Sequence, residues 1–166
     1  MTKAPPPLQD LFRDIMSNFA ASVTVVTGHT HGWHHWLTVS AFTSVSLEPP
    51  LILICIDHAS QSIKALRASE GFTVNMIREE AGQLAMRFAS KATDKFSGLA
   101  VRQPTYEQAG LCLPEQSYAS LECRKVEFIE AGDHTIFIGH VEHAVLYDSA
   151  RPLLYWQRDF RRIQAD

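Results

Sequence analysis

The spacing of apolar residues changes period along the chain, and each change marks an element. Leu8, Leu11, Phe12, Ile15, Met16 and Phe19 recur at offsets of 3, 4, 7, 8 and 11, the signature of one helix face. The period then shortens. Ser22–Thr27 (SVTVVT) predicts a strand, and Gly28–Gly32 predicts a turn-rich link. Leu37–Asp57 (LTVSAFTSVSLEPPLILICID) comes next, with Thr38, Ser40, Thr43, Ser44 and Ser46 interleaved among branched and aromatic residues. Pro49-Pro50 is expected to end that first strand, because proline cannot donate to a sheet ladder. Leu51–Ile56 then reads as a buried strand by its length and branching.

Ser60 is expected to open a short helix with Ile63 and Leu66 inward, stopping near Gly71 as a C-terminal glycine. Phe72–Ile77 predicts a strand, and Glu79–Ala89 a helix with Leu84, Ala85 and Phe88 inward. Ser90–Pro114 has weak periodicity and predicts loop, with a short helix around Lys95–Leu99. Ala119–Glu130 and His134–Asp148 are long strand-like runs joined by the turn Ala131-Gly132-Asp133. Leu153–Trp156 predicts a last short strand before a basic tail. Antiparallel strands with inserted helices, lacking βαβ alternation, imply a mainly β fold: a β-barrel with inserted helices, not a doubly wound parallel sheet. No G-x-G-x-x-G follows a strand, and there is no P-loop. Residues 1–7 are expected to form a disordered tail and residues 8–166 a single domain.

Bulk properties narrow the partners. A chain of 166 residues can bury a full core as one domain, and 46% hydrophobic with 20% charged residues is globular composition. A net charge of -3 gives no footprint for nucleic acid or an anionic membrane. Runs such as Leu51–Ile56 are too short to span a bilayer, and MTKAPPPLQD lacks the apolar stretch of a secretory signal. Cys55, Cys112 and Cys123 form no C-x-x-C pair, so they read as reduced core residues of a cytoplasmic protein.

Four clusters could carry chemistry. The hydroxyls of Leu37–Asp57 could line a flat, polar-edged ligand or simply face water. Ser60-Gln61-Ser62 could hold a phosphate at a helix start, with Arg87, Lys91 and Lys95 as counter-charge, or Ser60 could merely cap its helix. Gly132-Asp133-His134 reads either as a plain turn or as a histidine at a strand head serving as donor or proton source. His29, His31, His34 and His35 are dense enough to suggest a metal, but no acidic or cysteine partner lies close in sequence, and exposed histidines are the simpler reading. No G-x-S-x-G elbow supports nucleophilic catalysis.

Taken together, the motifs LTVSAFTSVSLEPPLILICID, Ser60–Ser62, Arg87-Phe88-Ala89, Asp94-Lys95-Phe96, AGDHTIFIGHVE and PLLYWQRDFRRI resemble the flavin reductase family. These are the short-chain FMN/FAD split-barrel reductases of two-component flavin-dependent monooxygenases. The resemblance runs from about residue 11 to the end. It implies a homodimeric six-stranded antiparallel split barrel that uses FMN or FAD, with NADH or NADPH as co-substrate. It sets the flavin against Thr38, Val39, Ser40, Ala41, Ser44 and Val45, with Cys55, Ile56 and Asp57 along the isoalloxazine. Ser60, Gln61 and Ser62 would take the phosphate, and Phe88, Lys91, Lys95 and Phe96 would close the site. His134 would lie over the flavin and meet the nicotinamide, with Tyr155 and Arg158 lining the nicotinamide side. No metal is implied.

The chemistry implied is hydride transfer from nicotinamide to flavin, with reduced flavin passing to a partner oxygenase component. Two alternatives stand beside it. One is a protein of the same fold with tightly held FMN, reducing a corrinoid or an organic acceptor. The other is a non-enzymatic flavin-binding protein. The chain departs from the family at Trp36, where a small residue, often glycine, usually precedes the Leu-Thr pair. That indole could stack on a ligand, obstruct the flavin, or face a dimer interface.

Overall fold

The computed structural model describes residues 6–90 and 95–164. α1 (Leu8–Ser17) forms as the spacing predicts, yet it buries none of its residues, and Leu8, Phe12, Ile15 and, just beyond it, Phe19 stay exposed. β1 (Ala21–Ser22) and β2 (Thr24–Thr30) are separated at Val23. Its N–H donates to the Leu153 carbonyl and its own carbonyl accepts from Ile77. β3 (Trp33–Val39) returns antiparallel to β2. The expected link at Gly28–Gly32 is therefore mostly strand, and the turn is only His31-Gly32. Both residues have positive φ, +50° and +82°, as a tight two-residue hairpin turn requires.

The hydroxyl-rich run is not one strand. β3 stops at Val39 and β4 (Phe42–Leu47) begins anew, because Phe42 N–H closes a tight turn onto the Ser40 carbonyl and Cys55 N–H takes the Ala41 carbonyl. β4 then pairs with β5 (Pro50–Asp57), with Pro50 as the first strand residue, where a missing donor is tolerated.

α2 (Ile63–Ala68) buries Ile63 and Leu66 and starts after Ser62, later than expected. Gly71 does not terminate it. It opens β6 (Gly71–Ile77), where a Cβ would lie 2.6 Å from the Cys123 carbonyl oxygen, so close strand approach explains the glycine. A 3-10 turn at Glu79–Ala81 leads into α3 (Gly82–Ala89), with Leu84, Ala85 and Phe88 buried. The short helix expected at Lys95–Leu99 is only a turn, closed by Leu99 N–H onto the Phe96 carbonyl. β7 (Ser117–Ala131) and β8 (His134–Leu146) form the expected long hairpin around Gly132-Asp133. β9 (Leu154–Trp156) is joined by an unexpected β10 (Asp159–Arg161). Their turn puts Gln157 and Arg158 at φ +51° and +61°, a hairpin without the usual Gly or Asn.

The main sheet runs β3-β2-β6-β7-β8-β5-β4, and β1-β9-β10 forms a second, three-stranded sheet. The main sheet has seven strands, not the expected six, because the break at Ser40-Ala41 divides one run into two. That break also shapes the fold. β3 and β4 are the two edges of the sheet, yet only Ser40 and Ala41 join them, so the sheet must curl until its edges meet. The result is a split barrel. β2 is buried on both faces: Val26 packs with Ile54, Leu66, Phe72 and Phe137, while Val25, with Val23 just before the strand, packs with Ile77, Phe88 and Leu153.

Several polar side chains inside the barrel are closely paired. Asn75 Nδ2 donates to the Val25 and Leu111 carbonyls, each at 3.2 Å, and its Oδ1 accepts from Leu113 N–H at 2.9 Å and Ser120 Oγ at 2.8 Å. Thr27 and Thr73 donate to Leu111 and Gly110 carbonyls at 2.6 Å. The fully buried Glu122 accepts from Arg102 Nη2 and from Tyr106 N–H, both at 2.7 Å.

Candidate active site

The split in the barrel is a cleft of about 760 Å³. Its walls are β3 with Ser40-Ala41, the end of β5, the turn before α2, the end of α3 with Lys95, and His134 at the head of β8. β3 is an edge strand, so backbone groups along its open side are not all taken by a neighbour. One of them, the Trp36 carbonyl, accepts Ser62 Oγ at 2.9 Å.

The fold brings most of the expected residues into this cleft. Thr38, Val39, Ser40 and Ala41 line it from β3 and the crossing, and Cys55, Ile56 and Asp57 from β5. Ser60, Gln61 and Ser62 line it from the turn, Phe88 and Lys95 from the α3 side, and His134 from the far end. Within this set the side chains differ in availability. Thr38 Oγ1 is committed to the Ala85 carbonyl at 2.8 Å, whereas Ser40 and Gln61 are exposed. Ser60 Oγ accepts Ser62 N–H at 3.3 Å, so it shapes a turn and does not cap α2. Burial pushes the Cys55 thiol up, which keeps it protonated against the ligand space.

Five expected residues stand elsewhere on this chain. Ser44 and Val45 lie on exposed β4 next to a register shift opposite β5, past the crossing that forms the wall. Tyr155 pairs with Ala21 and Phe160 in the small sheet, and Arg158 bonds Asp14 of α1 at 2.7 Å. Phe96 sits behind the wall, edge-on to Trp36 and Phe88. Lys91, and Asp94 of the Asp94-Lys95-Phe96 motif, lie outside the described residues.

Asp57 and His134 face each other in the β5–β8 register. His134 Nδ1 is 2.7 Å from Asp133 Oδ1, and this bond holds the Asp133 carboxyl below its ordinary range. An ionised carboxylate can only accept, so Nδ1 carries the hydrogen and Nε2 is left for chemistry. His58 N–H donates to the Asp133 carbonyl at 2.9 Å, while Glu130 bonds His58 Nε2 at 2.9 Å and Arg67 at 2.7 Å. These contacts tie the hairpin end to the turn beside Asp57.

The sequence patterns gave less warning of Trp33, His34 and His35, which also line the cleft. They fall between the link expected at Gly28–Gly32 and the run that starts at Leu37, in a histidine-rich stretch without a strand pattern. His34 Nδ1 and His35 Nε2 are buried without a protein partner. Burial, with help from His29, holds both rings below the ordinary imidazole range, so they are neutral donors or acceptors at pH 7. Ala59, Ala89 and Ser90 complete the lining, with no signal in their residue types.

Comparison with known proteins decides the family. Residues 16–164 match the Flavin reductase like domain. The chain belongs to the flavin reductase family. It is 36% identical over 153 residues to the actinorhodin polyketide dimerase of Streptomyces coelicolor, covering 92% of this chain and 85% of that protein. It is 36% identical over 149 residues to the reductase component of 4-nitrophenol 4-monooxygenase/4-nitrocatechol 2-monooxygenase of Rhodococcus opacus, covering 90% and 78%. Among solved structures, the NADH:FAD oxidoreductase SgcE6 of Streptomyces globisporus, in complex with NAD and FAD fragments, superposes with a TM-score of 0.89 at 30% identity. That match covers 100% of this chain and 99% of the other.

Proposed function

We propose that this NAD(P)H-dependent flavin reductase carries out hydride transfer in the barrel split, with the flavin ring along Cys55–Asp57 and its phosphate toward Ser60–Ser62 and Lys95. The observation that carries this reading is the pairing of an Asp133-oriented His134 at one end of the cleft with open polar groups along the rest. Ser40, Gln61 and the unpartnered nitrogens of His34 and His35 suit a polar-edged ring system, and the apolar Ile56 and Phe88 suit its faces. FMN or FAD supplies the ring that accepts hydride from NADH or NADPH.

The chain's own groups bind and orient. β3 edge groups and Ser40 would hold the ring margin by hydrogen bonds, placing donors where the bound flavin gains negative charge. The walls would shield a bound flavin and nicotinamide from water, with Lys95 as counter-charge. His134, with Nδ1 fixed, offers Nε2 to orient the nicotinamide amide or to move a proton. A carrier that merely held flavin would not need that histidine.

The chain acts as a homodimer, supported by the uncovered apolar face of α1 and by Trp156 beside it, whose Nε1 bonds the Asn18 carbonyl at 3.1 Å. The roles expected of Tyr155 and Arg158 then fall to the cleft of the second copy. The reduced flavin serves a partner oxygenase component. Three unpaired cysteines and dependence on NAD(P)H favour work in the cytoplasm.

The test is NADH and NADPH oxidation by the purified chain with FMN, FAD, riboflavin or no addition. Turnover that rises with added flavin is expected. No oxidation of either nucleotide under any flavin overturns the reading, and full activity with a retained yellow chromophore favours the alternative of tightly held FMN.

A further inference from the structure

Trp36 resolves into a position that none of the sequence alternatives describes fully. Residues of β3 alternate between two faces, and Trp36 shares the α3 face with His34 and Thr38. Its ring meets Phe96 at 4.9 Å and Phe88 at 6.5 Å, both edge-to-face, and Phe88 meets Phe96 at 5.4 Å. This is an interlocked aromatic trio that closes the outer core against α3. The indole is thus a packed wall, and it does not block the cleft.

Trp36 meets both sides of the cleft, by its backbone on one and by its ring on the other. The Trp36 carbonyl takes the Ser62 hydroxyl from the turn before α2. The Trp36 ring lies under the Lys95 ammonium at 5.9 Å. Lys95 is buried, and its Nζ also donates to the Phe88 carbonyl at 2.8 Å and to the Ser90 carbonyl. An ammonium has three donors, so these two bonds leave one for a ligand. Among the described lining residues Lys95 is the only lysine or arginine. Arg87, nearby on α3, points its Nη2 to the Ser97 carbonyl at 2.9 Å, and Asp57 uses Oδ1 on Ala59 N–H at 2.7 Å.

We propose that Trp36 is a positioning residue for phosphate recognition: its ring holds the Lys95 ammonium in place, so that the remaining Nζ–H of Lys95 is directed at the phosphate of the flavin. This rests on the cleft being the flavin site. The chain's departure from a small residue here then sharpens discrimination between flavins with and without phosphate. It acts through Lys95 and does not touch the isoalloxazine.

The experiment compares FMN and riboflavin binding to the full-length wild type and to Trp36→Gly, Trp36→Leu, Lys95→Met and the Trp36→Gly/Lys95→Met double variant. Trp36→Gly is expected to weaken FMN binding about tenfold and riboflavin binding less than about threefold, since one charge-assisted contact is lost and the ring contacts remain. The double variant should bind FMN within about twofold of Lys95→Met alone, because the two changes remove one interaction. Should Trp36→Gly fail to fold by thermal melting, Trp36→Leu keeps the apolar volume without the π-face and carries the same comparison. Equal weakening for both ligands, no weakening for FMN, or additive losses in the double variant would each overturn the role. Wild-type oxidation of NAD(P)H with riboflavin and FMN is measured alongside. Absence of that activity refutes the flavin reading itself, whereas normal wild-type turnover with equal ligand losses refutes only the role of Trp36.

Discussion

Small polar side chains occur in two regions of this barrel and do opposite things. In the interior, Thr27, Thr73, Asn75 and Ser120 are fully buried and each is bonded to the chain, so they stitch the segment around Gly110–Leu113 onto β2 and β6. Along the split, Ser40 and Gln61 are exposed, and His34 and His35 each keep a buried nitrogen without a partner. In the interior these donors and acceptors are satisfied by the fold, and along the split they stay open to the ligand proposed above. Their residue types do not separate the two groups; the position of the sheet edge does.

That contrast can be broken most forcefully in the interior. Asn75→Leu should destabilise the chain by about 4 kcal/mol, since it leaves the Leu113 N–H and the Ser120 hydroxyl buried without their acceptor. Urea unfolding measures this, and any surviving folded protein should bind flavin normally. At the cleft the effects should be kinetic. His134→Ala should lower turnover about a hundredfold while flavin affinity changes less than about threefold. Steady-state NAD(P)H oxidation beside a flavin titration separates these, and equal losses would reduce His134 to a turn residue.

The interior carboxylate adds a pH test. Burial alone would raise Glu122, but the Tyr106 N–H and the Arg102 guanidinium outweigh it and hold the carboxyl below its ordinary range. A depressed value means that Glu122 stabilises the fold above the unfolded pKa of about 4.3 and loses that contribution as pH falls through the folded value. Glu122→Gln should therefore cost about 2 kcal/mol at pH 7, with the gap to wild type closing below about pH 4. A gap independent of pH would mean that packing, not charge, matters there. The smallest effects sharpen the boundary of the site. Ser40→Ala should weaken flavin binding by about fivefold with stability within about 0.5 kcal/mol, whereas Ser44→Ala should change neither.

Much of the fold was readable in the chain because period carries it. The 3.6-residue spacing of α1, the branched runs of β2, β5 and β6, and the long hairpin about Gly132-Asp133 all stand where the pattern puts them. The errors have local causes. Ser40-Ala41 breaks a run of good strand formers without a glycine or proline, and Gln157-Arg158 turns a hairpin in the left-handed region with neither Gly nor Asn. Site residues that follow the motif order fell into the cleft. Ser44 and Val45 did not, because the crossing at Ser40-Ala41 carries them past the wall. Trp33, His34 and His35 were hidden because an edge strand rich in histidine does not look like a strand.

The most direct test is a crystal structure of the chain with FMN. The ring should lie between β3 and the end of β5, near Asp57 and His134, with its phosphate among Ser60, Ser62 and Lys95. Flavin bound instead on the outer face of β4 at Thr43–Ser46, or against the apolar face of α1, would contradict the assignment of the barrel split as the site of hydride transfer.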